Sequence, residues 1–587
     1  MELAAIFHRP NDNYVYAMDS ETLHIRLQTK MGEITSVLLF HGDQYEWKDG
    51  NWVVHESAMF LSGSDGVYDY WHIYIKPESR RSRYGFRIKT AQEEITLTEK
   101  GFYPEPPLNP GCYYHFPYLH RTEVFTPPAW VKETVWYQIF PERFANGSSE
   151  INPEGVKEWA SEEPALDNFF GGDFEGVIER LDYLKDLGIT GIYFTPVFKA
   201  PSNHKYETID YLEIDPQFGS KETLKKLVSE AHLRGIRVML DAVFNHSGFY
   251  FPPFQDVLHK GEQSKYKDWF HPHSFPLEGG DRPNYETFGF FDQMPKLNTY
   301  NPEVKEYLLK VAAYWIEEFD IDGWRLDVAN EVDHQFWREF RQTVKKIKPD
   351  LYILGEVWHD AMPWLRGDQF DAVMNYPFTS NILDLLAHQT ITARMFADKM
   401  SAVYHSYPKN VFDVTFNLVG SHDTPRILTE CGEDEQRTKL IFTILLTFMG
   451  SPCIYYGDEV GLTGEMDPGC RKCMEWDADK QNLNLFQHIQ SLIHLRHTEK
   501  LLANEGEFEF IDTSSNEQIL GYRKYSQDRS VIVLANPTEE RQQFTLPPSL
   551  LGMTATVLSS SSEQKISSET DTFDIERFGH IIVSLDK

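Results

Sequence analysis

From residue 134 onward the chain alternates short apolar segments with amphipathic helical stretches, and eight such segments occur before residue 460. In order they are TVWYQIF (134–140), ITGIYFTPVF (189–198), IRVMLDAVF (236–244), DGWRLDVA (322–329), LYILGEVW (351–358), FDAVMNY (370–376), FNLVGSHD (416–423) and PCIYYGDE (452–459). Alternation of strand and helix predicts a parallel sheet covered on both faces. Eight is the number that closes a barrel. Helices with Glu and Lys on their outer faces fill the intervals. One of them, PEVKEYLLKVAAYWIEEF (302–319), has Asn301 as N-cap and Pro302 at the first helical position. The expected fold class is α/β, a (β/α)8 TIM barrel.

The third and fourth segments are separated by more chain than one helix needs. Residues 246–300 are polar and rich in aromatics, and a structureless loop of that length is disfavoured, so a small inserted subdomain beside the active-site face is expected. Residues 1–125 read as short alternating segments such as LHIRLQTK (23–30), YGFRIKT (84–90) and EITLTEK (94–100), separated by Gly, Asp and Asn turns. The pattern returns after residue 505 in SVIVLANP (530–537), QQFTLPP (542–548), TATVLSS (554–560) and HIIVSLD (580–586). The expected organisation is an N-terminal β-sandwich (1–125), a barrel (126–504) and a C-terminal β-sandwich (505–587). More than one core is natural for 587 residues.

Composition bears on partners. A net charge of −33 repels phosphate backbones and anionic lipid, which argues against nucleic acid and membrane surfaces. A neutral substrate is indifferent to it, and aromatics at 14% of the chain offer rings for stacking on sugars. The start, MELAAIFHRPNDNY, has no basic n-region followed by an apolar stretch, and no later run is long enough to span a bilayer. Five cysteines in so long a chain make no disulfide framework, and a cytoplasmic location is expected. Cys470 and Cys473 have C-x-x-C spacing, but no second pair completes a zinc site.

Acids at the carboxyl ends of barrel strands are where chemistry is expected. Strand three ends in DAVFNH with Asp241, Asn245 and His246; strand four carries Arg325 and Asp327; strand five ends at Glu356; strand seven ends at His422 and Asp423. Arg325 and Asp327 are two apart on a strand and project to one side, so the guanidinium can hold Asp327 ionised. For those two alone a structural ion pair is the competing account. Asp327, Glu356 and Asp423 converging on one face would repel each other without functional return. Divided roles for two carboxylates, one ionised and one protonated, are the machinery of glycoside hydrolysis.

Together DAVFNH (241–246), GWRLDVAN (323–330), GEVW (355–358) and NLVGSHD (417–423) resemble the ordered motifs of the α-amylase family of glycoside hydrolases. MPKLN (294–298) and Glu331 directly after VAN are similar to the neopullulanase, cyclomaltodextrinase and maltogenic amylase subgroup. The resemblance implies Asp327 as nucleophile, Glu356 as general acid/base and Asp423 as the acid that grips sugar hydroxyls. It implies substrate contacts by His246, Arg325, His422, Tyr206, Trp358 and Glu331, and by Asp467 and Arg471 in DPGCRKCMEW (467–476). It also implies a structural calcium ion held through Asn146, Ser148, Asn152, the Gly171 carbonyl and Asp173. Ser148 and Ile151 stand where related chains can carry acidic or amide ligands.

The activity so implied is retaining cleavage of α-1,4-glucosidic bonds in cyclodextrins, pullulan, starch and maltooligosaccharides, with transglycosylation as a companion. A homodimer through the N-terminal domain is likewise implied, and Trp47, Trp52, Tyr70 and Trp71 are aromatics that can serve that interface, a carbohydrate surface or the core. Two other readings stay open: a glucan-rearranging transferase or isomerase using the same carboxylates, and a non-catalytic carbohydrate-binding protein. The latter would be expected to lack one of the three acids.

Overall fold

A computed structural model of the chain describes residues 1–551, 553–562 and 572–586. At its centre lie eight parallel strands, numbered here in chain order: β1 (Trp136–Ile139), β2 (Gly191–Phe194), β3 (Arg237–Ala242), β4 (Gly323–Leu326), β5 (Tyr352–Gly355), β6 (Ala372–Val373), β7 (Phe416–Asn417) and β8 (Ser451–Tyr455). Neighbours run β6-β5-β4-β3-β2-β1-β8-β7. A parallel bridge between Met374 and Phe416 joins the two ends, closing the ring. Each strand overlaps its expected segment and is shorter, β8 beginning one residue early at Ser451, and in most of them the last residues of the segment leave the sheet to form the rim.

The two-residue period of a strand sorts these residues. Trp136, Tyr193, Met239, Tyr352 and Leu354 pack together inside the barrel, while Tyr137, Ile192, Val238 and Ile353 face the helices. Registers Met239 to Gly323 and Asp241 to Arg325 continue to Tyr352 and Leu354 on β5. Apolar side chains therefore fill the lower interior, and charged ones follow two residues on. At Gly323 a Cβ would lie 3.1 Å from both Met239 Cγ and the Tyr352 carbonyl oxygen, so a side chain there would be tightly crowded between β3 and β5. The helix Pro302–Phe319 starts as expected, with the Asn301 side chain accepting from the amides of Glu303 and Val304.

The excursion after β3 holds a helix, Pro252–Lys260, and isolated bridges that include His246 to Lys296 and Phe270 to Leu297. It folds back on the barrel rim. Before the barrel, four-stranded and six-stranded antiparallel sheets enclose Leu23, Ile25, Leu39, Phe86 and Ile88. Arg26 and Asn13 of this module donate to the His405 carbonyl at 2.7 and 2.8 Å, and the Tyr70 ring lies on the His405 imidazole at 4.2 Å. Tyr70 is thus buried, Trp71 is buried in the module's own core, and of the four aromatics named above only Trp47 is mostly exposed. After the barrel a five-stranded sheet and a two-stranded pair form the last module. Its Lys524 donates to the carbonyls of Phe448 and Leu502 at 2.9 Å. Among the described residues no helix is long and apolar enough to cross a membrane.

Candidate active site

The inward period that places Met239 and Gly323 inside the barrel also places Asp241, Arg325, Asp327 and Glu356 at its carboxyl end. Arg325 is buried, and its guanidinium serves all three acids. Nη1 donates to Asp241 Oδ2 at 3.0 Å and to Asp327 Oδ1 at 2.8 Å, and Nη2 meets Glu356 Oε1 at 2.8 Å. Asp327 Oδ2 is buried with no hydrogen-bond partner. Glu356 Oε2 accepts the Val328 amide at 2.9 Å. Val328 has φ +45, a costly conformation for a β-branched residue, worth on the order of 1–3 kcal/mol. That turn carries the amide after Asp327 onto the neighbouring strand's carboxylate.

Burial pushes the Asp327 carboxyl well above the usual carboxylate range; Arg325 opposes, and Glu356 and Asp241 add to the rise. Burial likewise raises Asp241 to about 6 against the pull of Arg325. The sequence reading had the arginine holding Asp327 ionised. In the structure one guanidinium is divided among three carboxylates, so its hold on Asp327 is partial, and burial leaves Asp327 and Asp241 both raised.

Across the cleft the Tyr206 ring lies parallel to the His422 imidazole, at 5.5 Å and 10°. Its hydroxyl is 2.7 Å from His422 Nε2 and donates to Asp241 Oδ2 at 3.1 Å. Asp423 Oδ2 lies 3.3 Å from His422 Nε2, and Arg471 reaches Asp423 Oδ1 at 3.4 Å and Asp467 Oδ1 at 2.8 Å. Burial raises Asp423 and Arg471 works against it. The Arg471 Nε also donates to the His422 carbonyl at 2.8 Å, which ties the loop after β8 to the end of β7.

Tyr206, Asp327, Glu356, Asp423, Asp467 and Arg471 line one cleft of about 680 Å³, together with His246, Glu331, Trp358 and the aromatics Phe288 and Phe291, while Asp241, Arg325 and His422 stand behind its wall. Trp358 stacks on Tyr376 with ring centres 3.4 Å apart, and its Nε1 donates to Glu356 Oε1 at 3.2 Å. His246 is stacked on Phe288 at 5.3 Å. Glu331 is paired with Lys296 at 2.8 Å. Every residue that the sequence reading set at the substrate site is therefore brought to this cleft or into contact with its wall. Gln138, Tyr193, Phe288, Phe291 and Lys296 were not picked out. Gln138, which lies 2.8 Å from His422 Nδ1, had a signal: a polar residue in an otherwise apolar buried strand needs a partner.

The five residues marked for calcium meet in a separate loop. Asp173 caps the helix Phe174–Glu179 by accepting the Gly176 amide at 2.7 Å, and it also accepts the amides of Gly147 and Ser148 at 3.1 and 2.8 Å. Asn146 Nδ2 donates to Asn152 Oδ1 at 3.0 Å, and a Cβ on Gly171 would fall 2.3 Å from that oxygen, so the groups crowd one point. The donors are all oxygens, which suits calcium. They bring one carboxylate, and it is already served by three amides, so the loop stands closed by its own hydrogen bonds. Cys470 and Cys473 are buried free thiols pushed up to about 12 by burial, and Cys470 Sγ donates to the His422 carbonyl at 3.2 Å.

A closed parallel barrel with carboxylates of adjacent strands gathered at the carboxyl-end cleft is an arrangement that glycoside hydrolysis uses. Residues 138–505 match the family described as alpha amylase, catalytic domain, and residues 1–120 that described as alpha amylase, N-terminal ig-like domain. The chain belongs to the alpha-amylase family. It is 59% identical over 544 residues to the maltogenic alpha-amylase of Bacillus acidopullulyticus, covering 92% of this chain and 93% of that one. It is 55% identical over 587 residues to the cyclomaltodextrinase of Geobacillus thermopakistaniensis (strain MAS1), covering 100% of both. A solved cyclomaltodextrinase structure superposes with a TM-score of 0.94 at 48% identity, covering 100% of each chain.

Proposed function

We propose that the protein cleaves α-1,4-glucosidic bonds with retention, acting on cyclodextrins, pullulan, starch and short maltooligosaccharides. The observation that carries this is the pair Asp327 and Glu356, held on the two terminal nitrogens of one guanidinium with Asp327 Oδ2 left free. Retention needs the carboxyl groups roughly 5 to 5.5 Å apart, and a shared arginine holds them close. Asp327 Oδ2 attacks the anomeric carbon while Glu356 gives its proton to the leaving oxygen. Glu356 then takes a proton from water, or from a second sugar's hydroxyl, which opens the ester. Tyr206 offers its ring to the sugar being cleaved, and Asp423, His422 and His246 bind its hydroxyls. Trp358, Phe288 and Phe291 form an apolar side of the cleft, which favours a sugar acceptor over water and so supports transfer beside hydrolysis. The test is NMR of the first products from β-cyclodextrin and soluble starch: α-anomers from the wild type and no turnover by Asp327→Asn are expected, whereas β-anomers or an active variant would overturn the reading.

Calcium, held by Asn146, Ser148, Asn152, the Gly171 carbonyl and Asp173, is proposed as a loop stabiliser; stoichiometric metal in the protein and a lower Tm in chelator test it. A homodimer through the N-terminal module is supported by its exposed Tyr45, Trp47, Phe60 and Leu61, and light scattering of wild type and Trp47→Ser tests it. A cytoplasmic location is supported by the free thiols, four of them buried, and is tested by cell fractionation.

A further inference from the structure

Lys296 and Asn245 have no part in the chemistry above, yet they are wired to a cleft residue. Lys296 sits in the inserted subdomain where its backbone bridges His246, and the next amide, Leu297, donates to the Asn245 carbonyl at 2.9 Å. Its Nζ donates to Glu331 Oε2 at 2.8 Å and to Asn245 Oδ1. The other end of that amide, Asn245 Nδ2, lies 3.3 Å from His246 Nδ1. Asn245 and His246 are both buried, and His246 Nε2 has no hydrogen-bond partner.

An ammonium has three protons and no lone pair, so the Asn245 atom facing it must be the oxygen. The reverse orientation would set NH2 against NH3+, and the amide's direction is therefore dictated by chemistry. Its nitrogen can only donate, so His246 Nδ1 must accept. Burial, with the Lys296 charge adding to it and a contact with the Tyr206 backbone opposing, lowers the imidazole to about 3, and the ring is neutral. A neutral imidazole has one N–H, which leaves it on Nε2, at the cleft wall.

We propose that Lys296 is a positioning residue that fixes, through Asn245, the tautomer of His246, so that Nε2 presents a donor to the bound sugar. The proposal rests on the sugar-cleaving reading of the cleft. Without the ammonium the amide can turn, either ring nitrogen can hold the proton, and part of the population offers a lone pair where a donor is needed. The Lys296 to Glu331 ion pair alone has no such effect.

The test is 15N NMR of histidine-labelled full-length protein near pH 7.5, with the His246 signals identified by their loss in His246→Gln. The wild type and Glu331→Gln should show protonated Nε2 and bare Nδ1. Lys296→Met should show a mixture, and Lys296→Arg should restore the single form. Asn245→Asp, which accepts from Lys296 but cannot donate to the ring, should move the proton to Nδ1. For β-cyclodextrin, kcat/KM should fall about tenfold in Lys296→Met, the worth of about one hydrogen bond, and recover in Lys296→Arg. A wild-type ring protonated on Nδ1, or an Nε2–H ring retained in both Lys296→Met and Asn245→Asp, overturns the proposal. The spectrum is independent of turnover: an inactive wild type with Nε2–H at His246 would refute the cleft's reaction and leave this wiring standing.

Discussion

Tyr206 and His422 form a parallel pair, their rings 10° apart in orientation with centres at 5.5 Å and the phenol oxygen 2.7 Å from Nε2. The phenol reaches on to Asp241 at 3.1 Å, so one aromatic on the loop after β2 ties together the ends of β3 and β7. A platform for a sugar must be both flat and fixed, and the hydroxyl supplies the fixing.

The ring and the hydroxyl of Tyr206 can be separated by mutation. Tyr206→Phe keeps the stacking face and loses two hydrogen bonds, at about 1 kcal/mol each; kcat/KM is expected to drop by roughly one to two orders of magnitude. Tyr206→Ala removes the face as well and should fall further. Steady-state kinetics on one maltooligosaccharide checks the order, and equal losses would show that the ring does not contribute.

Removing the shared cation should cost stability as well as rate. Arg325→Met leaves Asp241, Asp327 and Glu356 buried around a neutral side chain, and losing one partner of a buried ion pair costs about 3–5 kcal/mol. Denaturant unfolding at pH 7.5 should show that loss and recover part of it near pH 5, where the acids can take up protons. A variant as stable as the wild type would mean that the acids are not charged in the fold.

Acid stability turns on histidines buried in neutral form. His488 and His580 face each other at 5.5 Å between the barrel and the last module, and burial lowers them to about 4 and about 3. Each binds a proton more readily when unfolded, near pH 6.5. The stability they carry is full above that pH and is withdrawn as pH falls toward about 4, by roughly 1.4 kcal/mol per pH unit for each group. Asp241, raised to about 6, runs the other way and loses its contribution as pH rises through that value. Unfolding free energy is expected to fall from pH 6.5 to 4.5, and His580→Gln should make that slope shallower; an unchanged slope would contradict the assignment.

Asp173 should matter with or without metal, since its carboxylate serves the amides of Gly147, Ser148 and Gly176. Asp173→Ala is expected to cost about 1–2 kcal/mol through the lost cap alone. Thermal unfolding in chelator checks it, and no change there would mean that solvent satisfies these amides equally well.

Much of this was legible in the chain because period and position carry it. The two-residue spacing of Arg325 and Asp327 puts both on the inner face, and Glu356 follows Leu354 inward by the same rule. The capped start of the helix at Asn301 could be read directly. What could not be read depends on contacts between distant segments. Division of Arg325 among three acids needs the register of β3, β4 and β5, which no single segment contains. The left-handed Val328 carries no local mark, since a β-branched residue predicts the opposite. Phe288 and Phe291 lie in an excursion without period, so their place at the cleft follows only from how that excursion folds back. Tyr70 and Trp71 could be read as interface, carbohydrate-surface or core residues, and only the fold decides: Tyr70 is covered by His405 of the barrel and Trp71 by the N-terminal module's own core.

The central claim is a covalent sugar ester on Asp327. With Glu356→Gln and α-maltosyl fluoride, whose leaving group needs no acid, the first step should outrun the second and the ester should accumulate. Intact-mass and peptide mass spectrometry should find one maltosyl unit on the peptide containing Asp327. Trapping on any other residue, or complete turnover to product with β-configuration and no adduct, would contradict the account.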